Sequence, residues 1–179
     1  VTVRLILGGA RSGKSSFAEK LLKHMRSLDS TKQLHYVATA IPFDDEMVAR
    51  IRHHQNQRGE GWNVHESSYQ LSETLQQFSS NDIVLVDCLT LWLNNVIYND
   101  GQMRDAHLTR LEIKCLIDVL KRTSADITLV SNEVGMGLVP EGEVSNLFVE
   151  FAGLANQWVA DVSSSVFFVA AGLPKTMKG

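Results

Sequence analysis

The run Gly8-Gly9-Ala10-Arg11-Ser12-Gly13-Lys14-Ser15 constrains this chain more than any other stretch. It fits G-x-x-x-x-G-K-[ST], and the context on either side is what makes the motif credible. The apolar run Val3–Leu7 before it lies in an expected strand, Thr2–Leu7. From Lys14 to Leu28, Phe17, Leu21, Leu22 and Met25 recur at helical spacing. A strand, a glycine loop and a helix in that order make a phosphate cradle. Successive backbone N–H groups line the loop, and the amino end of the helix adds partial positive charge. Lys14 is placed to reach the β and γ phosphates and Ser15 to ligate Mg²⁺. A chain of ordinary composition matches the pattern by accident about once in a hundred or two. Binding of a nucleoside triphosphate is therefore expected, with the reaction left open.

The rest of the chain alternates strand and helix patterns, the mark of a mostly parallel sheet flanked by helices. Leu34–Ala38 reads as a strand and Asp44–Gln57 as a helix with acids in its first turn. Trp62–Glu66 reads as a short edge strand and Leu71–Phe78 as a short helix. Ile83–Asp87 and Ile127–Ser131 are continuous apolar runs suited to strands buried on both faces. Leu89–Tyr98 and His107–Arg122 read as helices separated by a turn at Asn99-Asp100-Gly101. Val144–Ala160 reads as an amphipathic helix and Ser165–Ala170 as a last strand. No linker or repeat divides the 179 residues, so one α/β domain of the P-loop nucleoside triphosphatase class is expected over 1–179.

Composition narrows the function classes. The net charge of −3 argues against nucleic acid as a main partner. No apolar run is long enough for a membrane span and no signal peptide is recognisable, which points to the cytoplasm. The chain opens on Val1, so an initiator Met or a short leader is expected upstream. Cys88 and Cys115 lie in apolar surroundings without metal-ligand spacing, and read as buried free thiols.

Four constellations can carry chemistry. Asp87 ends a buried strand, where it can serve Mg²⁺ or cap the helix that follows. His53 and His54 sit late in the Asp44–Gln57 helix. With Met47, Val48 and Ile51 as its apolar stripe, His54 borders the buried face and His53 points away. Arg50 and Arg58 lie one helical step on either side of His54. Guanidinium groups beside an imidazole can hold phosphate oxygens while a neutral ring nitrogen attacks phosphorus, and they lower its pKa. A hydrogen-bonded histidine on a solvated basic face is the plainer alternative. Asn132 and Glu133 open an irregular stretch running to Glu141, suited to ligand contact or to turn chemistry alone. Glu66 could accept hydrogen bonds from a guanine edge or be an exposed strand-end acid; Trp62 flanks the same strand.

Together these stretches resemble one family. They are the loop at 8–15, Tyr-Val-Ala-Thr-Ala at 36–40, Asp-Asp-Glu-Met at 44–47, Arg-Ile-Arg-His-His at 50–54, Val-Asp-Cys-Leu-Thr-Leu-Trp-Leu at 86–93 and Asn-Glu-Val-Gly-Met-Gly-Leu-Val-Pro at 132–140. They are similar to the bifunctional adenosylcobinamide kinase/adenosylcobinamide-phosphate guanylyltransferases of cobalamin biosynthesis, over nearly the whole chain. The resemblance implies a RecA-like P-loop fold and two reactions. ATP or GTP phosphorylates adenosylcobinamide; GTP then guanylylates the product through a histidine, giving adenosylcobinamide-GDP and pyrophosphate. The second of the paired histidines matches the guanylylated position, which makes His54 catalytic together with Lys14. The resemblance also brings Thr39, Ala40, Ile41, Arg58, Gly59, Glu60, Gly61, Glu66 and Asp87 to the nucleotide beside Gly8–Ser15, and implies Mg²⁺ at Ser15 and Asp87. Gly59 stands where the family pattern leads one to expect proline, and Asp87 where some members carry Glu. A homo-oligomer, a trimer, is implied. Two rivals remain: a small-molecule kinase with no nucleotidyl intermediate, which has no use for His54, and a GTP-binding switch, whose Asn-Lys-x-Asp motif is missing.

Overall fold

Strands that are apolar on both faces need cover on both, and the helices supply it. The computed structural model describes residues 2–99, 102–135 and 142–179. In chain order the elements are β1 (Val3–Gly8), α1 (Lys14–Leu28), β2 (Gln33–Ala38), α2 (Asp45–Arg58), β3 (Asn63–Glu66), α3 (Leu71–Leu75), β4 (Asp82–Asp87), α4 (Leu89–Ile97), β5 (Tyr98–Asn99), β6 (Gln102–Met103), α5 (Ala106–Arg122), β7 (Asp126–Asn132), α6 (Glu143–Val162), β8 (Ser165–Ala170) and β9 (Leu173–Lys178).

Seven strands form one sheet in the order β3-β2-β4-β7-β1-β8-β9. All neighbours are parallel except β8 and β9. Two cores result. One side packs Ile6, Leu85, Val130 and Val169 against Ala18 and Leu22 of α1. The other packs Leu5, Val84, Val86 and Leu129 against Trp92 and Leu93 of α4, Leu116 and Leu120 of α5, and Phe151 and Ala155 of α6. Because the strands run parallel, Gly8, Ala38, Glu66, Asp87 and Asn132 all end at the same sheet edge. The connection from β1 to β2 runs one way along the sheet and that from β7 to β8 the other, so the strand order reverses between β1 and β7, and ligands of open α/β sheets bind at such a switch point.

The expected parallel sheet is present, and the structure adds to it. α3 ends at Leu75 rather than Phe78. Tyr98–Asn99 and Gln102–Met103 pair as a small hairpin beyond α4; the expected turn residues Asp100 and Gly101 lie outside the described residues. β9 was not expected at all. It follows β8 through a two-residue turn in which Ala171 (φ 50°) and Gly172 (φ 73°) are both left-handed, the hairpin geometry that fits strand twist. Its residues are all exposed, and Pro174, Lys175 and Lys178 suit an edge that must not recruit further strands. Lys178 Nζ bonds the carbonyls of Ala160 (2.9 Å) and Asp161 (3.0 Å) at the carboxyl end of α6. Cys115 also departs from expectation. It falls on the outer face of α5 and is exposed, whereas Cys88 is buried.

Candidate active site

The loop between β1 and α1 is shaped by what its glycines permit. A Cβ on Gly8 would lie 2.5 Å from Ser12 Oγ and 2.6 Å from the Val169 carbonyl, so any larger residue would push the loop off β8. Arg11 (φ 55°) and Gly13 (φ 92°) are both left-handed, and such alternation turns successive N–H groups inward as an anion nest. Gly13 starts α1 with no side-chain cap and no acid in the first turn, which leaves the amino end of the helix to a ligand. By contrast, α2 is capped by Asp44 and α5 by Asp105. The Ser12 hydroxyl is buried without a partner among the described residues. From the far side, the Gly172 N–H donates to the Ser12 carbonyl (2.7 Å), so the β8–β9 turn props the loop.

Lys14 is buried, and its Nζ donates to the Gly9 carbonyl across the loop (2.9 Å). Burial lowers its pKa; the Cys88 and Asp87 side chains act the other way. The lysine therefore spans the cradle, where a polyphosphate would replace the carbonyl as its partner.

Asp87 ends β4, one strand removed from β1 with β7 between them. Its Oδ2 accepts from the Tyr36 hydroxyl (2.7 Å). It does not cap the next helix; Cys88 does, its Sγ accepting from the Leu91 N–H. The Cys88 thiol is pushed up to about 12, chiefly by burial and then by Asp87. Thr39 is fully buried, and its groups are used within the protein. Its hydroxyl donates to the Cys88 carbonyl (2.7 Å) and accepts from the Cys88 N–H (2.9 Å), while its carbonyl accepts from Asn95 Nδ2 (2.8 Å). It fixes the backbone beside Asp87, and Ala40 and Ile41 beyond it are half-buried.

α2 carries the histidines. Met47, Ile51 and His54 are half-buried and Arg58 is buried, so the inward stripe runs through positions 47, 51, 54 and 58. Val48, expected in that stripe, is exposed, as is His53. The apolar stripe is too thin to bury this helix deeply, and an imidazole and a guanidinium complete its inner face. The pKa of His54 is lowered. Burial is the main cause; Asp87 opposes it, while Arg50, His53 and Arg58 add to it. Arg50 and Asp87 act on Lys14 as well, so the lysine and the histidine share one field of charge. The ring is accordingly neutral near pH 7 with a free lone pair, the state a nucleophile needs.

The segment Arg58–Gly61 divides. Arg58 turns inward, its guanidinium carbon 3.6 Å above the centre of the Tyr36 ring, while Gly59, Glu60 and Gly61 are exposed. Glu66 is exposed at the end of edge strand β3. Asn132 pairs with Gly8 in the sheet, and the Glu133 N–H donates to the Gly8 carbonyl (3.0 Å). Beneath them Thr90, Ser131 and Asn156 form a buried polar network that holds the Asn132 backbone. Asn132 Oδ1 is buried without a partner among the described residues, and Glu133 Oε1 accepts from the Gly135 N–H. The remainder of that stretch, Met136 to Glu141, lies outside the described residues.

The donor set fits Mg²⁺. A hard cation of this kind takes one or two protein oxygens and completes its shell with phosphates and water. Among the described residues Asp87 Oδ1 accepts no hydrogen bond and the half-buried Ser15 hydroxyl is unengaged. No cluster of three or more His, Cys, Asp or Glu suited to an all-protein metal cage occurs among the described residues.

Residues 4–177 match the family model described as cobinamide kinase/cobinamide phosphate guanyltransferase. The chain belongs to this family. A bifunctional adenosylcobalamin biosynthesis protein CobP from Pseudomonas aeruginosa is 41% identical, over 98% of this chain and 96% of its own length. A bifunctional adenosylcobalamin biosynthesis protein CobU from Escherichia coli is 36% identical, over 97% of this chain and 98% of its own. Among solved structures, the flagellar accessory protein FlaH from Methanocaldococcus jannaschii superposes with a TM-score of 0.52 at 12% identity, covering 99% of this chain and 78% of that one. The last similarity is one of fold, and it is the P-loop ATPase fold expected. Among the described residues no helix is long and apolar enough to cross a membrane.

Three residues escaped sequence reading. Tyr36 passes for an ordinary strand residue, although it binds Asp87 and carries Arg58. Lys23 donates to the Arg58 carbonyl (2.6 Å), tying α1 to the end of α2. Glu19 is a half-buried acid on the same face of α1, its pKa raised first by burial and then by Asp87. Glu19 and Lys23 follow Ser15 at steps of four, so helical spacing held a signal for both.

Proposed function

We propose that this chain catalyses both reactions of its family at one nucleotide site. The first moves the γ-phosphoryl of ATP or GTP onto the hydroxyl of the aminopropanol arm of adenosylcobinamide. The second attaches GMP from GTP to His54 and passes it to adenosylcobinamide phosphate. The observation that carries this reading is the half-buried His54 on the inner stripe of α2, its pKa lowered, in the same field of charge as Lys14 and Asp87.

The loop N–H groups and the amino end of α1 hold the polyphosphate, and Lys14 exchanges the Gly9 carbonyl for phosphate oxygens. Ser15 and Asp87 would hold Mg²⁺, which supplies charge neutralisation at the phosphates. In the guanylyl step a neutral His54 nitrogen attacks the α-phosphorus. A P–N bond forms, the bond to the bridging oxygen breaks, and pyrophosphate leaves with that electron pair. An oxygen of the acceptor phosphate then attacks the same phosphorus, the P–N bond breaks, and its electron pair returns to the ring, which departs as neutral imidazole because its other nitrogen keeps its proton. Arg50 and Arg58 offset the charge that builds on the phosphorus oxygens. Glu66 is the guanine-edge acceptor in this reading, and its exposure on an edge strand leaves it free for a base. The enzyme acts in the cytoplasm, where its nucleotide substrates are abundant, and as a homo-oligomer, a trimer, which sedimentation velocity would read directly.

GTP labelled at the α or γ position tests this. Wild-type protein is expected to take up acid-labile α label, and His54→Ala to take up none while still phosphorylating cobinamide. Lys14→Ala is expected to slow both half-reactions by about 100-fold or more. Transfer of γ label alone would leave a simple kinase. Loss of both activities in a folded His54→Ala variant would end the division of labour.

A further inference from the structure

Asp87 and Arg58 carry opposite charges near the nucleotide site, and neither is held by a salt bridge among the described residues. Both are held by Tyr36. This residue lies in the middle of β2, 5% exposed, on the face that α1 covers. Its hydroxyl donates to Asp87 Oδ2 at 2.7 Å, and its ring face lies 3.6 Å from the Arg58 guanidinium carbon. Trp62 meets the ring edge-on, centroids 6.0 Å apart at 85°, which keeps the ring from tilting.

Each contact leaves something free. A hydroxyl bound to one carboxylate oxygen fixes the side-chain rotamer and leaves the other oxygen available. A guanidinium stacked on an aromatic face is attracted by the ring yet keeps its in-plane N–H donors unpaired. Arg58 is only 5% exposed, and its guanidinium makes no hydrogen bond among the described residues. The half-buried carboxyl of Glu19 on α1 feels the Arg58 charge, yet makes no ion pair with it among the described residues. Lys23 bonds the Arg58 carbonyl at 2.6 Å and fixes the root of the side chain, so the donors are pre-aimed rather than mobile.

We propose that Tyr36 is a positioning residue that sets both charges at once, its hydroxyl orienting Asp87 for the divalent cation and its ring presenting Arg58 to nucleotide phosphate. This rests on the reading of Asp87 and Arg58 as nucleotide-site groups given above. Tyr36 touches neither substrate nor metal; it acts through two residues that do. A tyrosine that merely filled the core would affect stability and nothing else.

Two substitutions separate the roles. Tyr36→Phe keeps the ring, the stack and the packing and removes only the hydroxyl. Tyr36→Leu removes both contacts. Mn²⁺ binding in the presence of a non-hydrolysable GTP analogue, followed by electron paramagnetic resonance, reads the cation without turnover. Tyr36→Phe is expected to weaken Mn²⁺ binding about 10-fold, as loss of an outer-shell partner does. The Mg²⁺ concentration for half-maximal cobinamide phosphorylation should rise in parallel, with kcat recovered at saturating Mg²⁺ and KM for GTP unchanged there. Tyr36→Leu should add a several-fold rise in KM at saturating Mg²⁺, and Arg58→Gln in that background should add little more. Wild-type Mn²⁺ affinity in Tyr36→Phe, or an unchanged KM in Tyr36→Leu, would overturn the proposal. Because the Mn²⁺ measurement needs no reaction, it decides the role of Tyr36 even where His54 carries no guanylyl group.

Discussion

For His54 to be the nucleophile proposed above it has to be deprotonated, and its surroundings favour that. Burial is the leading cause of its lowered pKa, and Arg50, His53 and Arg58 outweigh the opposing pull of Asp87 together with it. The sign follows directly. The neutral fraction falls only as pH drops through the lowered pKa, so formation of the guanylylated enzyme should persist below pH 6.5, the ordinary value. Arg50→Gln removes one lowering charge and should move the acid limb upward, towards 6.5. Single-turnover rates between pH 5 and 8 check both expectations, and an acid limb unmoved by Arg50→Gln would contradict them. At this scale the sequence was informative where residue spacing sets direction. The helical wheel separates His54 from His53, and the structure gives them different burial. It was uninformative where a side chain's partners come from distant strands. Nothing local marks Tyr36 as the donor to Asp87, or Thr39 as a clamp on the Cys88 backbone.

Elements were legible in proportion to their periodicity. α1, α5 and the buried strands β4 and β7 carry apolar patterns that admit one reading, and the structure follows them. β9 has no buried residue to leave a pattern, and its turn uses Ala171 at a left-handed φ, a position usually marked by Asn, Asp or Gly. That hairpin matters for the site. Its Gly172 N–H holds the Ser12 carbonyl, and a Cβ on Gly13 would stand 3.0 Å from Gly172 Cα. Gly172→Val places a β-branched residue at φ 73°, a strain of about 1–2 kcal/mol. We expect the turn to shift, the phosphate loop to loosen and KM for GTP to rise several-fold in both half-reactions. Steady-state kinetics at saturating Mg²⁺ measure this. An unchanged KM would mean that the loop holds its shape without the hairpin.

For the molecule as a whole, the parallel strands bring the phosphate loop, Asp87, Asn132 and the ends of β2 and β3 to one edge, and α2 lies across that field of charge with His54 inward. On the function proposed above, one cradle would serve two chemistries on GTP, at the γ-phosphorus for the kinase and at the α-phosphorus for the histidine. The phosphate loop alone points to the first, while the second needs the helix after β2. Intact-protein mass spectrometry after brief incubation with GTP and Mg²⁺, without acceptor, examines that directly. We predict a mass increase of one guanylyl group, mapped to the peptide containing His54, absent in His54→Ala and discharged by adenosylcobinamide phosphate. An unmodified wild-type protein, or an adduct on any other side chain, would contradict it.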